Sequence, residues 1–345
     1  MSNKITTVCG EIDKKDAGII LPHEHLLINL EVFTVPPKDK EDVFYKKLAL
    51  NNLKHVRKEP YSILDNAIIE DVDVAINEAK FFKQAGGSTI VDVTLDSIGR
   101  DPEKLKQISL KSGVNVIMGT GFYVDKAHPA FIREKAVKEL ASMMVLDIEQ
   151  GVGDSGIKAG IIGEIGTSAE VTENEYKCLE AAGIAHLQTG KAIHIHTSLY
   201  ETNGLQIVDK LIKMGVNPQK IAIDHIDVDI REDYIEQLLD KGVFVEFDNF
   251  GKEFYISNRA GNTLNGRFAY DLERAQTIKR LTDKGYTERL LLTNDICLKN
   301  MLCEYGGFGY AHILNNIVPM LYDCGISDKN IKKMIEENPI SFICQ

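Results

Sequence analysis

The chain has 345 residues, 44% hydrophobic and 26% charged, the usage of an ordinary globular protein with enough apolar material for a large core. Its net charge of -11, with no stretch that concentrates Lys and Arg, excludes a surface for nucleic acid or anionic membrane, because phosphate backbones demand a basic face. An anionic ligand would have to be met by local cations.

The N-terminal residues 1–18 mix polar, charged and apolar side chains without a signal-peptide h-region, and no apolar run reaches membrane-spanning length, so a soluble, cytoplasmic protein is expected. Cys9, Cys178, Cys297, Cys303, Cys324 and Cys344 contain no C-x-x-C pair. They read as reduced thiols rather than a disulfide frame or a zinc knuckle.

Short apolar β-rich runs alternate with stretches of helical period along the whole chain, the rhythm of repeated βα units. Predicted strands fall at 19–23, 89–95, 114–120, 158–164, 192–197, 220–225, 243–247 and 289–295, and helical period at 70–85, 126–149, 173–189, 201–214, 231–241 and 269–284. Eight strands close a barrel, so the expected fold class is α/β, a (β/α)8 TIM barrel, as one domain over residues 1–345. The strands are near-continuous apolar runs, as when barrel filling covers one face and helices the other. Residues 31–66, rich in Pro and Lys with an amphipathic stretch near 42–54, are too long for a simple βα loop and read as an insertion or lid.

A barrel enzyme builds its site at the C-terminal strand ends, and five of these strands end in metal-binding residue types. Strand one ends in His23-Glu24-His25. Side chains repeat every two residues along a strand, so both imidazoles share a side while Glu24 points away, and the two can share a metal. Glu164 ends strand four, His196 strand five, His225 strand six and Asp295 strand eight. Two cations about 3.5–4 Å apart need a bridging anion, and Glu164 on the barrel wall is the candidate.

These residues carry a resemblance to the phosphotriesterase family of the amidohydrolase superfamily, over nearly the whole chain. Its specific parts are Leu21-Pro22-His23-Glu24-His25-Leu26, Gly119-Thr120-Gly121-Phe122-Tyr123, Gly163-Glu164-Ile165-Gly166-Thr167-Ser168, His196-Thr197, Asp224-His225 and Asn294-Asp295. The resemblance implies one metal on His23, His25, Glu164 and Asp295, a second on Glu164, His196 and His225, and a hydroxide between them. Some members bridge with a carboxylated lysine; this sequence is similar to the branch with glutamate there. Lys158 lies six residues before Glu164, roughly 20 Å deeper in the strand, and cannot substitute. His194 shares a face with His196, one layer down, where the family needs one ligand; it reads as a buried, hydrogen-bonded histidine or as a partner that orients a ligand.

The expected chemistry is hydrolysis by water activated on two divalent metals, zinc by default, with manganese, cobalt or iron able to serve. Asp295 would accept the water proton and pass it to the leaving group, and Tyr123 would hydrogen-bond the polarised oxygen. Lys252, Arg259 and Arg267 after strand seven, with Lys299 after strand eight, stand where barrels bind phosphate, and suggest a small anionic substrate. Family members that look like this chain open lactones, so a phosphorylated sugar lactone is expected, with carboxylester or organophosphate triester hydrolysis as the alternative. The absence of Trp weighs against a neutral triester pocket. Two readings of other classes are an aldolase-like barrel with a Schiff-base lysine such as Lys191 and a non-catalytic metal-binding barrel. The first leaves the histidine set unexplained, and nothing in the ligand positions supports the second. A homodimer is the default assembly.

Overall fold

The structure, a computed structural model, describes residues 4–36, 41–256 and 266–344. Eight strands form one parallel sheet: β1 (Ile19–Glu24), β2 (Gly87–Asp92), β3 (Asn115–Thr120), β4 (Ile161–Gly166), β5 (Ile193–His196), β6 (Ile221–Ile223), β7 (Phe244–Phe247) and β8 (Leu290–Leu292). Each pairs in parallel with the next, from β1 through β8. No ladder joins β8 to β1 among the described residues. Side chains close that seam: the Thr293 hydroxyl lies 2.7 Å from both the His23 carbonyl and Glu24 Oε1. The (β/α)8 barrel read from the sequence is therefore the architecture.

Helices cover the outside: α1 (Val72–Gln84), α2 (Pro102–Ser112), α3 (Val137–Glu149), α4 (Glu173–Thr189), α5 (Gly204–Lys213), α6 (Glu232–Asp240) and α7 (Asp271–Asp283). Local chemistry sets their ends. Asp71 accepts from the Asp73 and Val74 amides at the start of α1, and Thr172 with Glu175 forms a reciprocal capping box on α4. Gly87 opens β2 under the ring of Phe82 from α1, where a Cβ would stand 2.3 Å from ring carbons, so only glycine admits this contact. No helix of the described residues is long and apolar enough to cross a membrane.

The helical period at 126–149 does not form one helix. A 3-10 turn at Asp125–Ala127 and a short helix at Phe131–Glu134 precede α3. Pro129 disfavours helical backbone at His128, which is extended with ψ 131. His128 Nε2 instead meets the Tyr123 carbonyl at 2.7 Å, tying this loop to the end of β3.

The barrel floor is apolar. Ile20, Val91, Ile117, Ile161, Ala222, Phe244 and Leu291 meet Ile5 from the N-terminal hairpin (Lys4–Thr7 with Gly10–Asp13) and Phe342 from the last helix (Asn338–Ile343). Full burial of each large side chain stabilises by about 1.5–3 kcal/mol. The metal-binding residue types gather toward the opposite, C-terminal end.

The insertion packs a small core of its own, Leu48, Leu53, Val56 and Ile63, beside the mouth. Asp65 and Asn66 dock it on the loop after β8: Asp65 Oδ1 accepts from Lys299 at 2.8 Å, and Asn66 exchanges hydrogen bonds with Asn300.

Candidate metal centre

A bulge aims the two histidines of β1. Leu21 pairs with Ile90 and Glu24 with Asp92, so an extra residue sits between, at Pro22-His23. Proline lacks the amide a ladder requires and is tolerated at such a bulge. Beyond it, Asp92 accepts from the Leu26 amide at 2.7 Å and holds the chain that carries His25.

The tautomers of both histidines follow from their partners. The Thr94 hydroxyl donates its one proton to the Leu27 carbonyl at 3.0 Å, so at 2.8 Å it accepts from His25 Nδ1. The His25 Nε2 lone pair then faces Glu164 Oε1 at 3.3 Å and Asp295 Oδ1 at 3.2 Å. His23 Nδ1 faces Glu246 Oε2 at 3.1 Å. A carboxylate only accepts, so this nitrogen carries the proton and Nε2 is bare. That Nε2 is buried without a hydrogen-bond partner, 3.8 Å from Glu164 and 3.7 Å from Asp295.

On the far side, His196 Nδ1 lies 2.8 Å from Glu164 Oε2 and 2.8 Å from His225 Nε2. Two imidazole nitrogens and a carboxylate oxygen converging in a buried space call for a cation between them. Ligand-capable atoms of His23, His25 and Asp295 lie within 4.8 Å of one another, as do those of His23, Glu164 and His225. His225 (φ 62) and Asp295 (φ 48) are the non-glycine residues with left-handed backbone among those described. Such conformations cost about 1–3 kcal/mol each and gather at functional sites. The donor set, the bare buried nitrogen and the strained pair all fit a pair of divalent metals.

Electrostatics agree. Burial pushes the Glu164 carboxyl up, but His196 and His23 more than offset it and hold it well below the usual range. Burial likewise opposes ionisation of Asp295, and the Lys252 ammonium foremost holds it ionised. Burial pushes the Asp248 carboxyl up to about 7, against the pull of His225.

The structure gathers His23, His25, Glu164, His196, His225 and Asp295 at one point, with Tyr123 Oη 3.2 Å from His196 Nδ1. Burial, followed by the charges of Glu164 and Asp295, pushes the Tyr123 phenol well above its ordinary value, so it stays a neutral donor. Lys252 reaches the centre and pairs with Asp295. Lys299 does not; it is buried against Asp65. Arg267 is exposed, pairs with Glu273 and stacks on Tyr270. Arg259 lies outside the described residues. His194 is fully buried, 3.3 Å from Asp224.

Sequence reasoning missed several supporting groups. Glu24 points away from the site, as alternation requires, but its carboxylate accepts from Asn294 N (2.8 Å), Asn294 Nδ2 (2.8 Å) and Ile296 N (2.9 Å). It thereby holds both neighbours of Asp295. Glu246 and Asp248 were visible as charges in and just after an apolar strand. Between the insertion and the loops after β7 and β8 lies a cavity of about 350 Å³, lined by Phe250, Phe254, Asn294, Met301, Phe308 and Arg57 among others.

The phosphotriesterase family profile matches residues 3–343. The chain belongs to the phosphotriesterase family. It is therefore a hydrolase of a family that carries a binuclear metal centre. An N-acetyltaurine hydrolase of Xenopus tropicalis is 36% identical over 344 residues, covering 98% of this chain and 97% of that protein. A resiniferatoxin-binding protein of Rhodobacter sphaeroides superposes with a TM-score of 0.95 at 31% identity, over 99% of this chain and 95% of that one. A mutant PTE-like lactonase of Deinococcus radiodurans gives a TM-score of 0.77 at 25% identity, over 99% of this chain and 100% of that one. The histidines and carboxylates at the mouth are residue types that can ligate a metal, and their ligand-capable atoms converge.

Proposed function

We propose that this phosphotriesterase-family hydrolase cleaves a small N-acylated amine bearing an acidic group, N-acetyltaurine being the first candidate. His23, His25, Glu164 and Asp295 would hold one metal and Glu164, His196 and His225 the second, with zinc the default. When bound, such a pair lowers the pKa of water so that hydroxide is available at neutral pH, and polarises the carbonyl oxygen.

The observation that carries the amide reading is the buried pair of Lys252 with Asp295. Water adds to the carbonyl carbon and Asp295 accepts its proton. The C–N bond breaks only once nitrogen is protonated, and Asp295 passes that proton to the leaving amine. The products are the free acid and the amine. Lys252 keeps Asp295 ionised between turnovers. An ammonium has three donors and Asp295 takes one, leaving two for an acidic group of the substrate. Tyr123 orients the carbonyl. Arg57, exposed on the insertion and without a carboxylate partner among the described residues, adds a cation near the mouth.

The likeness to the Deinococcus lactonase supports a second reading, lactone opening by the same groups. The phosphate part of that reading is weakened, because Lys299 and Arg267 are neutralised by Asp65 and Glu273. A panel of N-acetyltaurine, N-acetyl amino acids and phosphorylated and plain sugar lactones, incubated with metal-loaded protein, separates the two. Release of free amine from N-acetyltaurine with kcat/KM above that for any lactone is expected. Turnover of lactones with no amide cleaved would replace the first reading with the second.

A further inference from the structure

Beneath the metal centre lies a second polar layer, where a barrel interior ordinarily holds bulky aliphatic side chains. It comprises His23 from β1, His194 from β5, Asp224 after β6 and Glu246 from β7, all fully buried. One oxygen, Glu246 Oε2, stands 3.1 Å from His23 Nδ1 and 3.5 Å from His194 Nδ1. The Asp224 carboxylate brackets the same two nitrogens, Oδ2 at 3.4 Å from His23 Nδ1 and Oδ1 at 3.3 Å from His194 Nδ1. Two carboxylates and two ring nitrogens thus form a closed square with nothing but acceptors facing the nitrogens. Phe342 packs edge-on against the His194 ring from below, centroids 4.9 Å apart, and stops it from dropping away.

We propose that Glu246, braced by His194 and Asp224, is the positioning residue that holds His23 with its proton on Nδ1 and Nε2 free for metal. This rests on the reading of His23 as a ligand. A ligating histidine binds through one nitrogen, and the acceptor on the other fixes its tautomer, its ring orientation and its basicity. Of the two acceptors facing His23 Nδ1, Glu246 is the nearer, 3.1 Å against 3.4 Å for Asp224, so without it the ring keeps only the longer contact and its orientation and tautomer are held less firmly. His194 Nδ1 stands between the two carboxylates, 3.5 Å from Glu246 and 3.3 Å from Asp224, and offsets their repulsion so that Glu246 stays against His23. This accounts for the extra histidine on β5, which sits one layer below His196 and is not needed as a ligand.

The test uses cobalt(II) as probe on full-length protein. Affinity is measured by competition with a chelator, and site geometry by the visible absorption of bound cobalt. E246Q is isosteric but a weaker, neutral acceptor, and should bind cobalt about tenfold more weakly with a shifted spectrum. E246L removes the acceptor and should lose about 100-fold. H194N should fall between wild type and E246L. H23A is the control for the underlying reading, and should lower cobalt stoichiometry whatever the role of Glu246. Wild-type affinity and spectrum in E246Q would overturn the proposal, even if E246L failed to fold. Unchanged stoichiometry in H23A would instead overturn the ligand assignment on which it rests.

Discussion

Lys252 and Asp295 form a buried ion pair between the loops that follow β7 and β8, ammonium against carboxylate oxygen. Burial disfavours the Lys252 ammonium, yet the charge of Asp295 holds it above its ordinary value. Replacing Lys252 by Met keeps the volume and removes the charge. K252M is expected to retain its metal content and lose about 100-fold in kcat, because a misplaced proton acceptor forfeits general acid–base assistance. Metal analysis alongside steady-state kinetics checks this. A kcat within threefold of wild type would remove Lys252 from the chemistry.

Tyr123 depends on glycine for its position. A Cβ at Gly166 would stand 2.1 Å from the Val124 amide nitrogen, so a methyl group there must push the loop after β3 outward. G166A is expected to destabilise by about 1–3 kcal/mol and to separate Tyr123 from His196. Y123F removes the hydroxyl alone and should lower kcat by about 100-fold with little effect on stability. Thermal melting and kinetics on the two variants distinguish loop displacement from loss of the donor.

Glu24 fixes the peptide that bears Asp295. In E24Q the amide can still accept at one atom, but its NH2 then faces either the N–H groups of Asn294, in place of Oε1, or the Ile296 amide, in place of Oε2. A loss of about 3 kcal/mol is expected in denaturant unfolding, the worth of hydrogen bonds to a charged acceptor, together with weaker metal binding. Unchanged stability would show that the strained Asp295 backbone is held by other contacts.

Asp65 predicts an acid response of the insertion. Burial would raise its carboxyl, but Lys299 and Lys47 with the Leu48 amide pull it below the ordinary value. The unfolded state then binds more protons, so the stabilisation is full above about pH 4 and is lost as pH falls through the lower folded value. Protection of residues 41–67 against hydrogen exchange, taken relative to the intrinsic rate at each pH, should therefore fall in wild type only below about pH 4. D65N should exchange faster already at pH 7 and respond less to acid.

Metal removal should act on stability as well as turnover. A cation that binds the folded chain and not the unfolded one stabilises by mass action, about 2.7 kcal/mol at a hundredfold excess over Kd. Exhaustive chelation is expected to abolish hydrolysis and lower the melting temperature, and added zinc or cobalt to restore both. A chelated protein with unchanged melting and activity would contradict the binuclear centre.

The barrel was legible because its cause is local. Ile161-Ile162, Ile193-Ile195 and Leu290-Leu291-Leu292 cannot be solvated, and their spacing leaves room for one covering helix each. The six converging residues were legible because each stands at or just beyond the C-terminal end of such a strand. The break before α3 was less so, since helical period does not register that Pro129 denies His128 a helical backbone.

Three of the four cations that suggested phosphate show where sequence runs out. Lys252, Lys299 and Arg267 look alike as charges after strands seven and eight, yet one pairs with Asp295 at the centre, one anchors the insertion through Asp65, and one lies exposed against Glu273. The partner of a charge is set by residues up to 234 positions away, as Asp65 is from Lys299. His194 is the same case, its place decided by Asp224, just after the adjacent β6, and by Glu246 on β7.

By itself the sequence determined the barrel, its mouth and the residues that reach it, because alternation along a strand and burial between layers act over a few residues. Only the tertiary structure decided which proton each histidine carries, which lysine faces the reaction and how Asp295 is held. Those depend on which acceptor stands about 3 Å away across the barrel, and that distance is set when the strands close around one another.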